Sequence, residues 1–272
     1  MSHIHSVEGR QSRLGIQHFG PISGRPVLLI HGFASSTELN WVQTGWTAAL
    51  AEGRRRVVAV DLPGHGATPA PEELDEYTPS RIRAEILQVL ADERVVPLTG
   101  APDSGVDLIG YSLGARLAWE FGAAQPELVH RMVLGGPSAA DPLADFDLPA
   151  VERQLSEGGE IDDPSTAELL RMARLVPGND MFALLSLVRA IKTEPFDAAE
   201  AVPRMPVLMV AGERDELATT MPRLAELLLH RSGHSADHLV LPGRTHASAI
   251  TSRAFKQAAV EFLSGTLAPG AD

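Results

Sequence analysis

A serine flanked by two glycines, in Gly110-Tyr-Ser-Leu-Gly114, stands between an apolar strand and a helix. In a strand, turn and helix context, the Gly-x-Ser-x-Gly spacing lets the backbone turn sharply and holds the serine strained and exposed above the sheet edge. The hydroxyl of Ser112 then points outward as a nucleophile. The five residues alone fit equally well with a glycine-containing turn whose serine caps the helix, so the rest of the chain must decide.

A serine hydroxyl is a useful nucleophile only when a base accepts its proton and a third group orients that base. Of the ten histidines, His246 is the one in the loop between the last predicted strand and the last helix. Asp215, just past the preceding strand, is the predicted orienting carboxylate. Asp141 is a second candidate, and Glu213 and Glu216 lie close to Asp215 in the sequence but not at the expected position. The order serine, acid, histidine is the one associated with this strand and helix pattern.

Attack on a carbonyl develops negative charge on oxygen, which backbone N–H groups must stabilise. Leu113 opens a helix directly after Ser112, and Phe33 follows His31-Gly32 at the end of another apolar strand. We therefore expect the N–H groups of Phe33 and Leu113 to form an oxyanion hole. His31 is expected to be a structural hydrogen-bonding residue.

Short apolar strands alternate with helical segments along most of the chain. An edge strand is predicted over residues 12–19, and buried strands over 26–30, 56–60, 106–111, 130–136, 205–212 and 238–241. Strict alternation predicts right-handed crossovers and a parallel sheet with helices on both faces. The reactive loops should then lie together at the carboxyl ends of the strands.

The pattern changes over residues 141–201, where acidic and proline-rich segments enclose helical stretches at 166–176 and 179–191. The second stretch is apolar around most of its circumference, so it must be covered on more than one side. We predict a helical cap over 141–201, inserted into a core of 1–140 and 202–272. A buried helix of the main core is the alternative for the second stretch. The pocket is expected to be lined by Phe33, Leu113, Phe182 and Leu185.

Composition disfavours several other classes of protein. The net charge of −12 argues against a nucleic-acid partner, which requires a basic face, and zero cysteines exclude disulfides and thiolate chemistry. Neither a 20-residue apolar run nor a basic start followed by an apolar stretch is present, so we expect a cytoplasmic protein without a membrane span. His3 with His5, and His234 with His238, lack a carboxylate at useful spacing, so no metal site is expected.

Five motifs in order resemble the α/β-hydrolase family over nearly the whole chain: His31-Gly-Phe33, Asp61-x-Pro-Gly-His-Gly66, Gly110-Tyr-Ser-Leu-Gly114, Ala211-Gly-Glu-Arg-Asp215 and Gly243-Arg-Thr-His246. The resemblance implies an α/β fold with an eight-stranded, mostly parallel sheet, a helical cap after the sixth strand, and no cofactor. By position it makes Ser112 the nucleophile, His246 the base, Asp215 its orienter and Asp61 a loop-organising residue. Family members that hydrolyse epoxides or halides carry aspartate at the nucleophile position, so Ser112 implies acyl chemistry.

These residues predict a serine hydrolase that cleaves a moderately hydrophobic carboxylic ester through an acyl-enzyme. The same triad would also serve cleavage of a carbon–carbon bond in a diketone, hydrolysis of a lactone or thioester, or acyl transfer to peroxide. A ligand-sensing receptor on the same fold is the alternative outside enzymes. The expected partner is a small molecule with an apolar portion, and the oligomeric state is left open.

Overall fold

A single sheet of seven strands, in the spatial order β1-β3-β2-β4-β5-β6-β7, organises the computed structural model, which describes residues 11–141, 143–233 and 236–266. The strands are β1 (Gly15–Phe19), β2 (Pro26–Ile30), β3 (Arg56–Asp61), β4 (Val106–Tyr111), β5 (Val129–Gly135), β6 (Val207–Gly212) and β7 (Asp237–Leu241). Edge strand β1 is antiparallel to β3, with Gly15 opposite Asp61, and every other pair is parallel. The predicted mostly parallel α/β fold is confirmed.

Seven strands in the described residues are one fewer than the resemblance implies. The helical insertion follows β5, the fifth of the described strands. Within the described residues, β1 pairs with β3 and lies at the edge of the sheet.

Helices cover both faces of the sheet. They are α1 (Trp46–Glu52), α2 (Pro79–Asp92), α3 (Leu113–Ala124), α4 (Leu148–Glu157), α5 (Pro164–Leu175), α6 (Met181–Ile191), α7 (Met221–Ser232), α8 (His246–Ala249) and α9 (Arg253–Ser264). Alternate residues of β2 serve the two faces: Leu28 and Ile30 join the apolar cluster of α2, α3 and α7, whereas Val27 and Leu29 join that of α1 and α9. This explains why the strands are apolar without alternation. None of the described helices is long and apolar enough to cross a membrane.

The insertion between β5 and β6 contains three helices, α4, α5 and α6, of which α4 has no counterpart among the predicted elements. Each begins at an aspartate whose carboxylate accepts main-chain N–H groups of the first turn: Asp147, Asp163 and Asp180. The acidic and proline-rich flanks therefore act as helix N-caps, with proline in the first turn of α4 and α5. The division into a cap over 141–201 and a core stays a prediction.

Helix α6 lies in the main apolar cluster and so is covered on more than one side, as its composition requires. Its buried residues Leu185 and Val188 belong to the same cluster as Tyr77 and Ile82 of the preceding core segment. The buried-helix alternative thus describes the packing of α6 well, even though α6 belongs to the inserted segment.

Candidate active site

Ser112 lies in the turn between β4 and α3 with φ 55° and ψ −116°, a backbone conformation that is strained for a residue with a side chain. A Cβ on Gly110 would overlap the carbonyl oxygen of Gly114, and a Cβ on Gly114 would overlap that of Ile30. Glycine at both positions lets the chain turn this tightly against β2. A 2.9 Å hydrogen bond from the Ser112 N–H to the Gly135 oxygen ties the turn to β5.

Asp215 follows β6 and His246 follows β7, so the two lie at the carboxyl ends of neighbouring parallel strands. The Nδ1 atom of His246 is 2.9 Å from each carboxylate oxygen of Asp215. The N–H groups of Leu217 and Ala218 also donate to Asp215, at 3.1 and 3.2 Å, and hold its carboxylate in place. Because a carboxylate accepts hydrogen bonds, Nδ1 carries the imidazole proton and Nε2 remains as the basic nitrogen.

The other acidic candidates do not contact His246. Asp141 pairs with Arg116 of α3, and Glu213 accepts a 2.7 Å hydrogen bond from the Gly243 N–H. Glu216 is exposed. Asp215 is therefore the one of these carboxylates that the structure brings to the imidazole.

Ser112 and His246 line one cavity of about 310 Å³, here called the nucleophile chamber. Among the described residues, no hydrogen bond joins their side chains. This hydrogen bond is commonly long or poorly aligned in unliganded sites and tightens when substrate binds. The chamber thus presents a strained serine and an oriented imidazole to the same space.

The loop after β2 passes close beside the serine. A Cβ on Gly32 would lie 3.2 Å from the Cβ of Ser112, and Phe33 lines the nucleophile chamber. Within the described part of the chain, the N–H groups of Phe33 and Leu113 donate to no acceptor. Leu113 is the first residue of α3, where N–H groups have no partner within the helix. Both predicted oxyanion donors are therefore free of other hydrogen bonds among the described residues.

Asn40 holds this loop, and sequence reasoning missed it. Its Oδ1 accepts a 2.8 Å hydrogen bond from the Gly32 N–H, and Asn40 lines the nucleophile chamber. It belongs to a π-helical turn, Glu38–Val42, a conformation that is rare and frequent at functional sites. Nothing in the spacing of apolar residues signals such a turn, so the contact is visible only in three dimensions.

Two buried histidines support the same loop as neutral side chains. His31 donates from Nδ1 to the Gly32 oxygen at 2.7 Å and accepts at Nε2 from the Leu62 N–H at 3.0 Å. His65 donates from Nδ1 to the Pro63 oxygen, while its Nε2 accepts from the Ala34 N–H at 3.2 Å. Burial lowers the pKa of both, and burial together with the nearby His31 lowers the pKa of His65 to about 3. His31 is thus a structural residue, as expected.

Asp61 organises the neighbouring loop. Its Oδ1 accepts a 2.6 Å hydrogen bond from the Thr37 N–H, and its Oδ2 accepts a 2.8 Å hydrogen bond from the Ala67 N–H. Asp61 is buried, and it joins the loop after β2 to the loop after β3. This arrangement matches the loop-organising role that the resemblance implies.

Tyr111 is a second residue that sequence reasoning missed. Its hydroxyl donates a hydrogen bond to the main-chain carbonyl of His246. Burial, with the nearby Asp215 carboxylate, raises the pKa of Tyr111 well above its usual range, so the hydroxyl remains protonated. The residue directly before Ser112 thereby contacts the main chain of His246, the first residue of α8.

The structure places the four expected pocket-lining residues in different surroundings. Phe33 lines the nucleophile chamber, but Phe182 is 84% exposed, and Leu185 and Leu113 are buried in the main apolar cluster. Of the inserted helices, α5 faces the chamber, through Leu169 and Met172. The reason is that α6, the more apolar helix, turns its apolar surface into the core and leaves Phe182 at its solvent end.

Only one of the histidines considered as metal ligands falls within the described residues. His3, His5 and His234 lie outside the described residues, and His238 is in β7. Within residues 11–141, 143–233 and 236–266, no group of three or more histidine, aspartate or glutamate side chains is arranged to hold a metal ion.

Comparison with known sequences connects the chain to one enzyme family. The profile of the Alpha/beta hydrolase family matches residues 27–259. A mouse protein, Epoxide hydrolase 3 of Mus musculus, is 33% identical over 132 residues, which cover 48% of this chain and 33% of the mouse protein. The chain thus spans about a third of the length of this curated relative.

Comparison with solved structures finds the same fold over nearly the whole chain. A carboxylesterase of Nitrososphaera gargenis superposes with a TM-score of 0.72 at 16% identity, covering 93% of this chain and 94% of that protein. The enol-lactonase of Burkholderia xenovorans LB400 superposes with a TM-score of 0.69 at 18% identity, covering 92% and 96%. At these identities, the likeness shows a shared fold.

Proposed function

The chain belongs to the alpha/beta hydrolase family, and we propose that it is a serine hydrolase that cleaves carboxylic esters through an acyl-enzyme. One observation carries the proposal: His246, hydrogen-bonded through Nδ1 to Asp215, shares the nucleophile chamber with the strained Ser112. The substrate is a small molecule with an apolar portion, since Phe33, Leu169 and Met172 line that chamber.

In the first half of the reaction, Nε2 of His246 takes the proton of the Ser112 hydroxyl as its oxygen attacks the ester carbonyl. Asp215 accepts the Nδ1–H and stabilises the imidazolium that forms. The carbonyl oxygen becomes an oxyanion beside the N–H groups of Phe33 and Leu113. Each such donor contributes about 3 to 4 kcal/mol to stabilising the transition state.

In the second half, the imidazolium of His246 gives its proton to the leaving alcohol as the carbon–oxygen bond breaks. The acyl group stays on Ser112. Water then enters, loses a proton to the same imidazole and attacks the acyl-enzyme, which releases the acid and restores the serine hydroxyl. The cycle requires no group beyond these side chains, the two N–H donors and water.

The identity of the nucleophile favours acyl chemistry over epoxide opening, although a relative named Epoxide hydrolase 3 shares 33% identity with part of the chain. A serine oxygen that attacked an epoxide carbon would form an ether, which water does not cleave. The same oxygen on a carbonyl carbon forms an ester, which the oriented imidazole can hydrolyse. Ser112 is therefore suited to substrates that carry a carbonyl.

The proposal is tested by hydrolysis of p-nitrophenyl butyrate and by labelling with a fluorophosphonate, which reacts with activated serines. Wild type should hydrolyse the ester and be labelled at Ser112, and Ser112→Ala should lose both reactions. Ser156→Ala is the matched control, because Ser156 is an exposed serine of α4 whose hydroxyl bonds the main chain of its own helix. Equal rates for wild type and Ser112→Ala would refute the proposal.

A further inference from the structure

The nucleophile chamber adjoins a second cavity of about 440 Å³, here called the outer chamber. Leu169, Met172, Leu217, His246 and Ala247 line both chambers. The nucleophile and the predicted oxyanion loop line only the first of them. The imidazole of His246 therefore stands at the boundary between the two spaces.

Helix α5 runs along both chambers. Ser165 and Glu168, toward its N-terminus, line only the outer chamber, whereas Val176, directly after its C-terminus, lines only the nucleophile chamber. Leu169 and Met172 lie between them and line both. These positions recur every three or four residues and share one face of the helix, which rises about 17 Å from Ser165 to Val176 at 1.5 Å per residue.

The chemistry of acyl transfer determines which part of an ester substrate would occupy each chamber. The acyl carbon must sit beside Ser112, and the leaving oxygen must face the imidazole of His246, which protonates it. The outer chamber contains His246 without the nucleophile. We propose that α5 divides an ester substrate at its scissile bond, with the acyl group in the nucleophile chamber and the leaving alcohol in the outer chamber. The division rests on the proposed function.

The walls of the two chambers differ in charge, which defines the substrate class. The nucleophile chamber carries apolar side chains at Leu39, Val176 and Ile250 and uncharged polar ones such as Thr44, and no Asp, Glu, Lys or Arg of the described residues lines it. The outer chamber carries Glu168, Arg214 and Glu216. Glu168 pairs with Arg171, and among the described residues neither Arg214 nor Glu216 has an ion-pair partner. Both signs of charge face the outer chamber, so it suits an uncharged alcohol with hydrogen-bonding groups. The substrate class is an ester of an apolar acid with a polar, uncharged alcohol.

Two substitutions at opposite ends of α5 test the division. Val176→Phe fills the nucleophile chamber, and Ser165→Phe fills the outer chamber. The acyl ratio is kcat/KM for p-nitrophenyl octanoate over p-nitrophenyl acetate, and the alcohol ratio is kcat/KM for glyceryl monobutyrate over methyl butyrate. Val176→Phe should lower the acyl ratio by about tenfold and leave the alcohol ratio unchanged. Ser165→Phe should lower the alcohol ratio by about tenfold and leave the acyl ratio unchanged. Pocket contacts discriminate between substrates by about 10- to 200-fold.

Arg174→Phe is the matched control, because it adds the same bulk to an exposed position of α5 that lines neither chamber. It should leave both ratios unchanged. The division is overturned if the two variants affect the opposite ratios, if each affects both ratios, or if neither affects any. Val176→Ala provides an independent arm that does not add bulk, and it should raise the acyl ratio.

Failure of the proposed function gives a different result. Absence of fluorophosphonate labelling at Ser112 in the wild type would refute the serine-hydrolase proposal itself. Where labelling occurs, its rate with alkyl fluorophosphonates of increasing chain length reports on the nucleophile chamber without turnover. If Val176→Phe does not change how the labelling rate depends on alkyl chain length, the division of the substrate is refuted while the serine-hydrolase proposal stands.

Discussion

The hydroxyl of Tyr111 donates a hydrogen bond to the main-chain carbonyl of His246. Tyr111, which directly precedes Ser112, thus holds the residue that is proposed to activate that serine. Tyr111→Phe should lower kcat by about tenfold, because a buried hydrogen bond of this kind contributes about 1 to 1.5 kcal/mol and its loss frees the imidazole to move. The change in kcat is measured with p-nitrophenyl butyrate.

Tyr77→Phe is the control for this substitution. Tyr77 is also buried, and its hydroxyl donates to a main-chain carbonyl, that of Pro71, at 3.0 Å. Both variants should lose a similar part of the free energy of unfolding, but Tyr77→Phe should retain wild-type kcat. Equal kcat values for the two variants would show that Tyr111 has only a structural role.

Gly136 leaves the space that the imidazole occupies. A Cβ at this position would lie 2.6 Å from Cε1 of His246 and 2.9 Å from its Nδ1, closer than real contacts allow. Gly136→Ala should therefore displace His246 from Asp215 and lower kcat by about a hundredfold, since removal of an oriented base from a triad is costly. Gly158→Ala is the control. Both glycines have a positive φ, 56° at Gly136 and 80° at Gly158, but nothing lies within 4 Å of the Cβ position of Gly158. Similar activities of the two variants would contradict this prediction.

The fold and the order of the candidate residues could be predicted from the sequence, because strand ends are local features. Asp215 and His246 each follow an apolar strand, and parallel strands bring such positions to one edge. Tyr111 and Gly136 could not be connected to His246, because these contacts depend on how β4, β5 and the loop after β7 approach in space. The lining of the nucleophile chamber could not be predicted for a related reason. The apolar surface of a helix shows that the helix is covered, but not which neighbour covers it.

Asn40 holds the loop of the proposed oxyanion donor Phe33 by accepting a hydrogen bond from the Gly32 N–H. Asn40→Ala should lower kcat more than it raises KM, because the N–H of Phe33 acts mainly on the charge that develops in the transition state. A boronic acid, which mimics the tetrahedral intermediate, should lose about tenfold in affinity, while the affinity for the product acid should change little. Gln43→Ala, at the end of the same π-helical turn but outside the chamber, is the control. Equal losses for the boronic and product acids would exclude a transition-state role.

The two neutral histidines of the loop make stability depend on pH. The ordinary pKa of histidine is 6.5, and burial lowers that of His65 to about 3 and lowers that of His31. Below pH 6.5 the unfolded chain therefore binds protons that the folded protein does not, so the free energy of unfolding falls as pH falls. His65 should contribute about 1.4 kcal/mol of loss between pH 7.5 and 5.5, and His31 adds a loss of the same sign, as measured by urea unfolding. His65→Gln should remove about 1.4 kcal/mol of this pH-dependent loss. An unchanged pH dependence of the free energy of unfolding would contradict the description of His65 as a buried, neutral histidine.

Arg116 of α3, the helix that follows Ser112, contacts residues at both ends of the inserted segment. Its buried guanidinium pairs with Asp141 before α4, donates to the Glu194 carbonyl at 2.6 Å after α6, and lies 5.3 Å from the ring centre of Phe196. Arg116→Met should lower the free energy of unfolding by about 3 kcal/mol, because removal of one partner leaves the Asp141 carboxylate unpaired in a largely buried position.

The control for Arg116→Met is Arg171→Met, which breaks an exposed pair with Glu168 on α5. Exposed pairs contribute about 0 to 1 kcal/mol, so urea unfolding should show little change for this variant. Limited proteolysis gives a second measurement: if Arg116 fastens the insertion, cleavage of Arg116→Met should begin between residues 141 and 201, while the core fragments stay intact. Cleavage spread evenly over the chain would instead show that Arg116 stabilises the whole fold without a particular connection to the insertion.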